Sequence, residues 1–269
     1  MTPLPENTLA LAERLAEAAR QAVLVHFRIP DLTADNKATS GYDPVTVADR
    51  ASEAAMRAIL AAERPEDGIL GEEEAPRASR SGLTWVLDPI DGTRAFIAGL
   101  PLWGVLIGLD DGSRGRLGVI DQPYIGERFA GMLQNDGTRT AWFERAGVRH
   151  EIATRPCAGL SEAVLFTTDP ALFTAREGAG FAKVRARAQL TRYGTDCYAY
   201  ALVAAGLADL VVEAGLARYD IAAPAALVEA AGGIVTDWQG GDARFGGRVI
   251  AAGDARVHAE ALAILSELD

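Results

Sequence analysis

Two aspartates three positions apart follow an apolar run that is typical of a buried strand. Asp88 and Asp91 lie in the stretch WVLDPIDGTR, residues 85–94, and Gly92 and Thr93 open a short predicted helix over 93–98. Carboxylate oxygens are the hard ligands that Mg²⁺ takes in proteins, and amides at a helix N-terminus can bind phosphate oxygens. The stretch therefore predicts a metal site beside an anion site, although Asp-Pro and Asp-Gly also occur in ordinary tight turns.

Two further acidic positions could complete such a site. Glu72 directly follows the predicted strand 68–71, and strand ends are where α/β proteins tend to place catalytic groups, although a run of glutamates is more often a solvated surface. Asp220 opens an alanine-rich predicted helix, where an N-cap is its simplest role. A capping aspartate can also face a metal that the other half of the chain holds.

A third acidic position has an equally plain structural explanation. Thr46 and Asp49 stand at the start of a predicted helix over 47–63, which Pro65 ends. Their spacing is that of a capping box, with Asp in place of the usual Glu or Gln. On the sequence alone, a cap and a site residue both remain open for Asp49. Lys37 lies in a loop upstream, where a lone lysine is more often solvated than functional.

The composition excludes several classes of protein. The chain has 269 residues with 49% hydrophobic and 23% charged, which is typical of a globular protein long enough for one large or two ordinary domains. The net charge of −11 argues against a nucleic-acid-binding surface. The longest apolar stretch, residues 200–212, contains Gly206 and Asp209 and is too short to cross a bilayer. We therefore expect neither a nucleic acid nor a membrane as a partner.

Cysteine content and the N-terminal residues bear on localisation. Cys157 and Cys197 are too few for a disulfide framework and favour a reducing compartment. The N-terminal residues carry early glutamates and lack the basic and apolar regions of a signal peptide. The sequence thus predicts a cytoplasmic protein.

The predicted elements divide the chain softly near residue 146. The half 1–145 carries most of the acidic candidates, and its order of helices followed by meander-like strands is typical of an α+β fold. The half 146–269 carries Asp220, and its alternating strands and helices indicate a layered α/β fold. In the first half we predict helices over 7–26 and 47–63 and strands over 68–71, 102–109, 116–121, 124–133 and 138–145. In the second half we predict strands over 163–168, 183–191, 210–213, 234–237 and 249–252, and helices over 170–179, 195–207, 219–231 and 257–268.

Three of these segments together resemble the signatures of the inositol monophosphatase family of Mg²⁺-dependent phosphatases. GEE at 71–73, DPIDGT at 88–93 and YDIAA at 219–223 match those signatures in order and spacing. DPVTVAD, residues 43–49, resembles the segment that precedes them in the family. Each cluster alone is a weak signal, but together they are specific, and the resemblance covers essentially the whole chain.

The resemblance implies a layered αβαβα fold, usually assembled as a homodimer, with the active site between the two halves. It implies that Glu72 and Thr93 position and deprotonate the attacking water, that Asp91 is also essential for catalysis, and that Gly92 and Thr93 bind the phosphate. A phosphate dianion repels hydroxide, and Mg²⁺ both neutralises it and lowers the pKa of water. The implied metal ligands are Glu72, Asp88, Asp91, Asp220 and the Ile90 carbonyl, with Asp49 for a weaker additional ion.

Departures from the inositol-phosphate pattern concern the substrate. The segments TRYGTDCYAY at 191–200 and VVEAGL at 211–216, together with Tyr219 in place of Trp, are more similar to the histidinol-phosphatase branch of the family. Histidinol phosphate carries an ammonium and an imidazole that can become cationic. A carboxylate at Asp196 beside Glu213 would favour such a substrate.

Asp196 also has two structural explanations, as the N-cap of the next helix or as a partner of Arg192. We expect a Mg²⁺-dependent phosphomonoesterase that hydrolyses L-histidinol phosphate. An inositol-1-phosphatase or a broad sugar-phosphate phosphatase is the alternative. A regulatory module that kept the fold and lost the chemistry is a third possibility, against which the complete set of acidic residues argues.

Overall fold

The computed structural model describes residues 2–29, 33–36 and 44–268. The chain begins with helix α1, Thr8–Leu24, and the short strands β1, Ala34–Asn36, and β2, Pro44–Thr46, which pair with each other. Helix α2, Val47–Glu63, has the predicted bounds. Two positions discussed above, Lys37 and Asp43, lie outside the described residues.

A sheet of seven strands in chain order follows the two helices. Only its first pair is parallel, and the others form an antiparallel meander, as predicted. Its elements are β3, Gly68–Gly71; β4, Thr84–Asp91; helix α3, Thr93–Ile97; β5, Gly104–Asp110; β6, Gly115–Gln122; β7, Glu127–Leu133; β8, Arg139–Arg145; and β9, Val148–Glu151. The predicted division near residue 146 falls between β8 and β9, within this sheet, and it remains a prediction.

A second sheet has five strands in the order β11-β10-β12-β14-β13. Its parallel strands alternate with helices. The elements are β10, Val164–Thr167; α4, Ala175–Arg185; β11, Leu190–Tyr193; α5, Tyr198–Ala204; β12, Leu210–Leu216; α6, Arg218–Ala230; β13, Ile234–Thr236; β14, Gly247–Ala252; and α7, Ala255–Leu265.

Three apolar layers hold the two sheets and the helices together. Helices α1 and α2 cover one face of the first sheet, through residues such as Leu15 and Met56. Helices α5 and α6 lie between the two sheets, with Leu227 packed in the same core as Leu106 and Val211. Helices α4 and α7 cover the outer face of the second sheet. The result is the predicted αβαβα arrangement.

One predicted strand is wrong. The strand expected over 183–191 begins only at Leu190, because residues up to Arg185 belong to α4. The helix expected over 170–179 likewise starts late, at Ala175, after a 3-10 turn over Pro170–Leu172. The signal for this start was present in the sequence, since Thr174 and Glu177 form a capping box. Phe181 and Val184 face the core from α4 at helical spacing.

Helix α6 approaches the first sheet so closely that glycine is required beneath it. A Cβ atom placed on Gly118 would lie 2.0 Å from the Ala223 carbonyl oxygen, and one on Gly131 would lie 2.7 Å from the Ala230 Cβ. The helix backbone therefore lies directly against the sheet, with no room for a side chain at these two positions. Among the described residues, none of the helices combines the length and the apolar composition of a membrane span.

Gly118→Ala tests this close packing. The added methyl group meets helix backbone that cannot move aside, so we expect the free energy of unfolding to fall by about 1–3 kcal/mol. Chemical denaturation of the two proteins measures the difference. The matched control is Gly178→Ala in helix α4, where the new Cβ atom has ordinary contact distances and the helical backbone should gain about 0.5–1 kcal/mol. Equal stability of Gly118→Ala and the wild type would show that the helix can shift.

Candidate active site

Three aspartates from separate parts of the chain meet at one point. Asp88 and Asp91 lie at the end of β4, and Asp220 is the third residue of α6. One carboxylate oxygen of each lies within 4.8 Å of the others. The sequence predicted this convergence across the two halves of the chain, and hard oxygen ligands at such separations suit a divalent cation.

Backbone amides fix the orientation of each of these carboxylates. The Ile90 amide donates to Asp88 Oδ1 at 3.0 Å, and the Cys197 amide donates to Asp91 Oδ2 at 2.7 Å. Asp220 Oδ2 accepts from the Ala217 amide at 2.6 Å. The N-cap explanation for Asp220 is therefore wrong in detail, because α6 begins at Arg218 and Asp220 caps it from the third position.

Burial and mutual repulsion make this cluster unfavourable for negative charge. Burial raises the pKa of Asp88 well above its usual range, and the negative charges of Glu72 and Asp91 raise it further. The pKa of Asp91 is raised well above its usual range by burial and then by the charges of Asp196 and Asp220. A bound cation would remove this repulsion, so the donor set fits a metal site.

The Thr93 hydroxyl lies beside two acceptors next to the cluster. Its oxygen is 3.1 Å from the Ile90 carbonyl oxygen and 3.4 Å from Asp49 Oδ1. The other carboxylate oxygen of Asp49 accepts from the Thr46 amide at 2.8 Å and from the Thr46 hydroxyl at 2.6 Å. The predicted capping box is therefore present, and the same residue faces Thr93. Asp49 lies outside the set of three carboxylates described above, and its role as a metal ligand remains a prediction.

Glu72 lines the same cavity as the three aspartates, and a residue that the sequence analysis missed holds its turn in place. Glu53 on α2 is fully buried and accepts from the Glu73 amide at 2.8 Å and the Glu74 amide at 3.1 Å. Arg57 donates to the same carboxylate at 2.7 Å. The sequence contained a signal for Glu53, since it is an acidic residue on the apolar face of an amphipathic helix and an arginine, Arg57, follows four positions later.

Gly92 and Asp196 approach each other at the edge of the cavity. Gly92 has φ of +84°, and a Cβ atom there would lie 3.1 Å from the carboxyl carbon of Asp196. Glycine at this position therefore permits both the left-handed turn and the approach of the second half of the chain. Gly92 and Thr93 both line the cavity, and their role in binding phosphate remains a prediction.

Beyond the aspartates the cavity continues to Glu213, which is 5% exposed. The Thr168 amide and hydroxyl donate to Glu213 Oε1 at 3.0 and 2.6 Å, and the Tyr200 hydroxyl donates to Oε2 at 3.0 Å. Burial raises the pKa of Glu213, while the Thr168 and Tyr200 donors act in the opposite direction. Asp91, Asp196 and Asp220 border both parts of the cavity.

Both structural explanations for Asp196 are wrong. Helix α5 begins at Tyr198 with Cys197 as its cap residue, so Asp196 precedes the cap. Burial and the charge of Glu213 raise the pKa of Asp196 to about 7, while Arg94 lowers it, and Arg192 is not among the charges that act on it. Asp196 and Glu213 thus lie near each other, as predicted, on the side of the cavity beyond the aspartates.

Residues 4–268 match the sequence model of the inositol monophosphatase family. The chain belongs to this family. It is 40% identical to the bifunctional phosphatase IMPL2 of Arabidopsis thaliana, over 94% of this chain and 73% of that protein. It is 33% identical to the histidinol-phosphatase of Mycobacterium tuberculosis, over 98% and 99%. A solved structure of an inositol monophosphatase from Zymomonas mobilis superposes with a TM-score of 0.82, covers 97% and 98% of the two chains, and is 46% identical.

The predicted family, fold and class of enzyme are thereby confirmed. The protein is a phosphatase, its family is metal-dependent, and the acidic cluster supplies suitable ligands. The three aspartates that the fold brings together argue against a module that lost its chemistry.

Asp91→Asn tests the acidic cluster as a cation site. Removing one of three repelling charges should raise the midpoint of thermal unfolding in the presence of a chelator, whereas added Mg²⁺ should stabilise the wild type more than the variant. Phosphatase activity should fall by roughly a hundredfold or more. The control is Asp136→Asn in the exposed turn after β7, which also removes one carboxylate and should leave both the activity and the response to Mg²⁺ unchanged. Activity of Asp91→Asn equal to that of the wild type at saturating Mg²⁺ would contradict the assignment.

Proposed function

We propose that the protein is a Mg²⁺-dependent phosphomonoesterase that hydrolyses L-histidinol phosphate to L-histidinol and phosphate. The observation that carries this proposal is the pair Glu213 and Asp196, two carboxylates on the cavity wall beyond the aspartate cluster. They are suited to the ammonium and the imidazole of histidinol phosphate, since a site of low dielectric with two carboxylates favours a cation. Leu172 and Phe173 border the same space and offer an apolar surface to the imidazole ring.

The metal ligands in this proposal are those that the family resemblance implies. Asp88, Asp91 and Asp220 would hold Mg²⁺ together with Glu72 and the Ile90 carbonyl, and Asp49 would contribute to a weaker additional site. Bound there, Mg²⁺ would neutralise the phosphate dianion and lower the pKa of water. In this proposal Asp91 would bind more than one cation, so its loss should be severe.

The attacking water is held by Glu72 and Thr93. A hydroxyl has one hydrogen, so Thr93 donates to either Ile90 or Asp49 and keeps its lone pairs for the water. If the Ile90 carbonyl held a cation, Asp49 would remain as the acceptor for the Thr93 hydroxyl. The Glu72 carboxylate then takes the proton that the water releases, and the amides of Gly92 and Thr93 bind phosphate oxygens.

The names of the relatives support two substrates. The histidinol-phosphatase of Mycobacterium tuberculosis supports the first proposal. The inositol monophosphatase of Zymomonas mobilis, at 46% identity, supports an inositol-1-phosphatase or a broad sugar-phosphate phosphatase as the second candidate. The predicted homodimer and the predicted cytoplasmic location also remain part of this proposal.

Comparison of kcat/KM across histidinol phosphate, inositol 1-phosphate, fructose 1,6-bisphosphate and adenosine 3′,5′-bisphosphate separates the two candidates. We expect histidinol phosphate to have the highest value. In the same series, Glu213→Gln should lower kcat/KM for histidinol phosphate more than kcat/KM for a small aryl phosphate. The difference should correspond to about 1.5–3 kcal/mol of transition-state stabilisation, the usual worth of a hydrogen bond to a charged group. Asp196→Asn should shift the same ratio in the same direction.

Two results would count against this assignment. Equal losses on both esters would mean that Glu213 supports the structure or the metal site. Negligible turnover of histidinol phosphate by the wild type would remove that substrate and leave the second candidate.

Thr93→Ala tests the placement of the water. Loss of a positioning hydroxyl should lower kcat by roughly a hundredfold or more, with little change in KM. Thr138→Ala, in the exposed turn before β8, is a control for the loss of a threonine hydroxyl. If KM rises and kcat stays constant, then Thr93 binds the phosphate and another group activates the water.

A further inference from the structure

The Glu213 carboxylate is enclosed by donors from two other elements. The Thr168 amide and hydroxyl come from the end of β10 and occupy Oε1, and the Tyr200 hydroxyl comes from α5 and approaches Oε2. Tyr200 is itself 2% exposed. A buried carboxylate loses its hydration, and these donors replace it.

This arrangement limits what Glu213 can still accept. An ionised carboxylate offers about four acceptor positions on its two oxygens. Thr168 and Tyr200 occupy three of them, and the side chain lines the cavity. Glu213 is thereby left with one direction for a hydrogen bond to a ligand. A carboxylate on a flexible side chain would accept from many directions and select little.

Helix α5 also links Glu213 to the aspartate cluster. The cap residue Cys197 donates its amide to Asp91 Oδ2 at 2.7 Å, and Tyr200, three positions later, donates to Glu213. One turn of a helix thus connects Asp91 of the aspartate cluster to Glu213. Such a rigid spacing distinguishes esters by the position of their N–H or O–H donors.

We propose that Tyr200 and Thr168 are specificity-determining positioning residues, which hold Glu213 as the acceptor for one donor on the alcohol part of the substrate. That this donor is the ammonium of histidinol phosphate rests on the proposed function. Tyr200 and Thr168 act through Glu213 and take no part in the transfer of the phosphate.

The neighbouring tyrosine provides a matched control. Tyr198 lies on the same helix and its hydroxyl donates to Glu127 at 2.7 Å, yet neither residue lines the cavity that contains Glu213. Tyr198→Phe and Tyr200→Phe each remove one hydroxyl that is bonded to a carboxylate. Only the second change alters the position of Glu213.

The experiment measures kcat and KM of each protein for histidinol phosphate and for 4-nitrophenyl phosphate. For Tyr200→Phe, kcat/KM for histidinol phosphate divided by kcat/KM for 4-nitrophenyl phosphate should fall by roughly five- to tenfold. The main change should be a higher KM for histidinol phosphate, because Glu213 loses the hydrogen bond from Tyr200 that holds it in position. Thr168→Val should lower the same ratio, and Thr168→Ser, which keeps a hydroxyl, should restore it. Tyr198→Phe should leave the ratio unchanged.

Equal losses on both esters in Tyr200→Phe and in Thr168→Val would overturn the inference, as would an equal change of the ratio in Tyr198→Phe. Thermal unfolding of every variant identifies a protein that does not fold. Because Tyr200 and Thr168 lie in different parts of the fold, the variant at one position still tests the inference if the variant at the other does not fold. Should the wild type prefer another ester, the proposed substrate fails. The ratio is then taken with that ester, and its constancy in both variants would overturn the inference separately.

Discussion

Repulsion among one buried and two half-buried carboxylates is the constraint on which this structure depends. Asp88, Asp91 and Asp220 each place an oxygen within 4.8 Å of the other two, in surroundings that raise the pKa of Asp88 and Asp91 by burial first and by neighbouring charge second. Groups left free to move would separate or become protonated. The fold prevents separation by close packing of α6 on the first sheet, where glycines such as Gly118 allow contact with the helix backbone. A bound cation would relieve the repulsion that remains among the carboxylates.

Helix caps contribute to the site as well as to the helices. Asp49 and Asp220 each occupy the third position of a helix. One oxygen of each accepts a hydrogen bond from the backbone amide of the residue that precedes the helix, Thr46 or Ala217. That hydrogen bond fixes each side chain. The other oxygen of Asp49 lies 3.4 Å from the Thr93 hydroxyl oxygen, and a carboxylate oxygen of Asp220 lies in the aspartate cluster. A structural explanation and a functional one are therefore compatible at both positions. Glu53 plays a comparable part for the turn that carries Glu72, because it accepts from the two amides that follow.

The middle layer of helices joins the aspartate cluster to the proposed site of substrate recognition. Helix α6 carries Asp220, and α5 connects Asp91 to Glu213 through the Cys197 amide and the Tyr200 hydroxyl. Both helices are packed between two sheets and share one core with them. The acidic cluster and the Glu213 pocket are thus connected through one packed layer. This connection is the physical basis for proposing that the cavity is one site, with metal binding at one end and substrate recognition at the other.

The sequence alone determined the ligand-bearing segments and the order of helices and strands in each half, because these depend on local order and spacing, whereas the layered αβαβα fold followed from the family resemblance. Two examples are the segment DPIDGT at 88–93 and the helix Val47–Glu63. Strand ends, helix caps and apolar periodicity depend on residues close together in the sequence, so they could be predicted from it. Only the tertiary structure decided the surroundings of Asp196, the parts played by Glu53 and Tyr200, and the true extent of α4. Each of these rests on contacts between distant parts of the chain, such as Tyr200 with Glu213 or Phe181 with the core of the second sheet. Long-range packing decides these contacts, although local signals for two of the features were present in the sequence, namely the capping box of Thr174 and Glu177 and the spacing of Glu53 and Arg57.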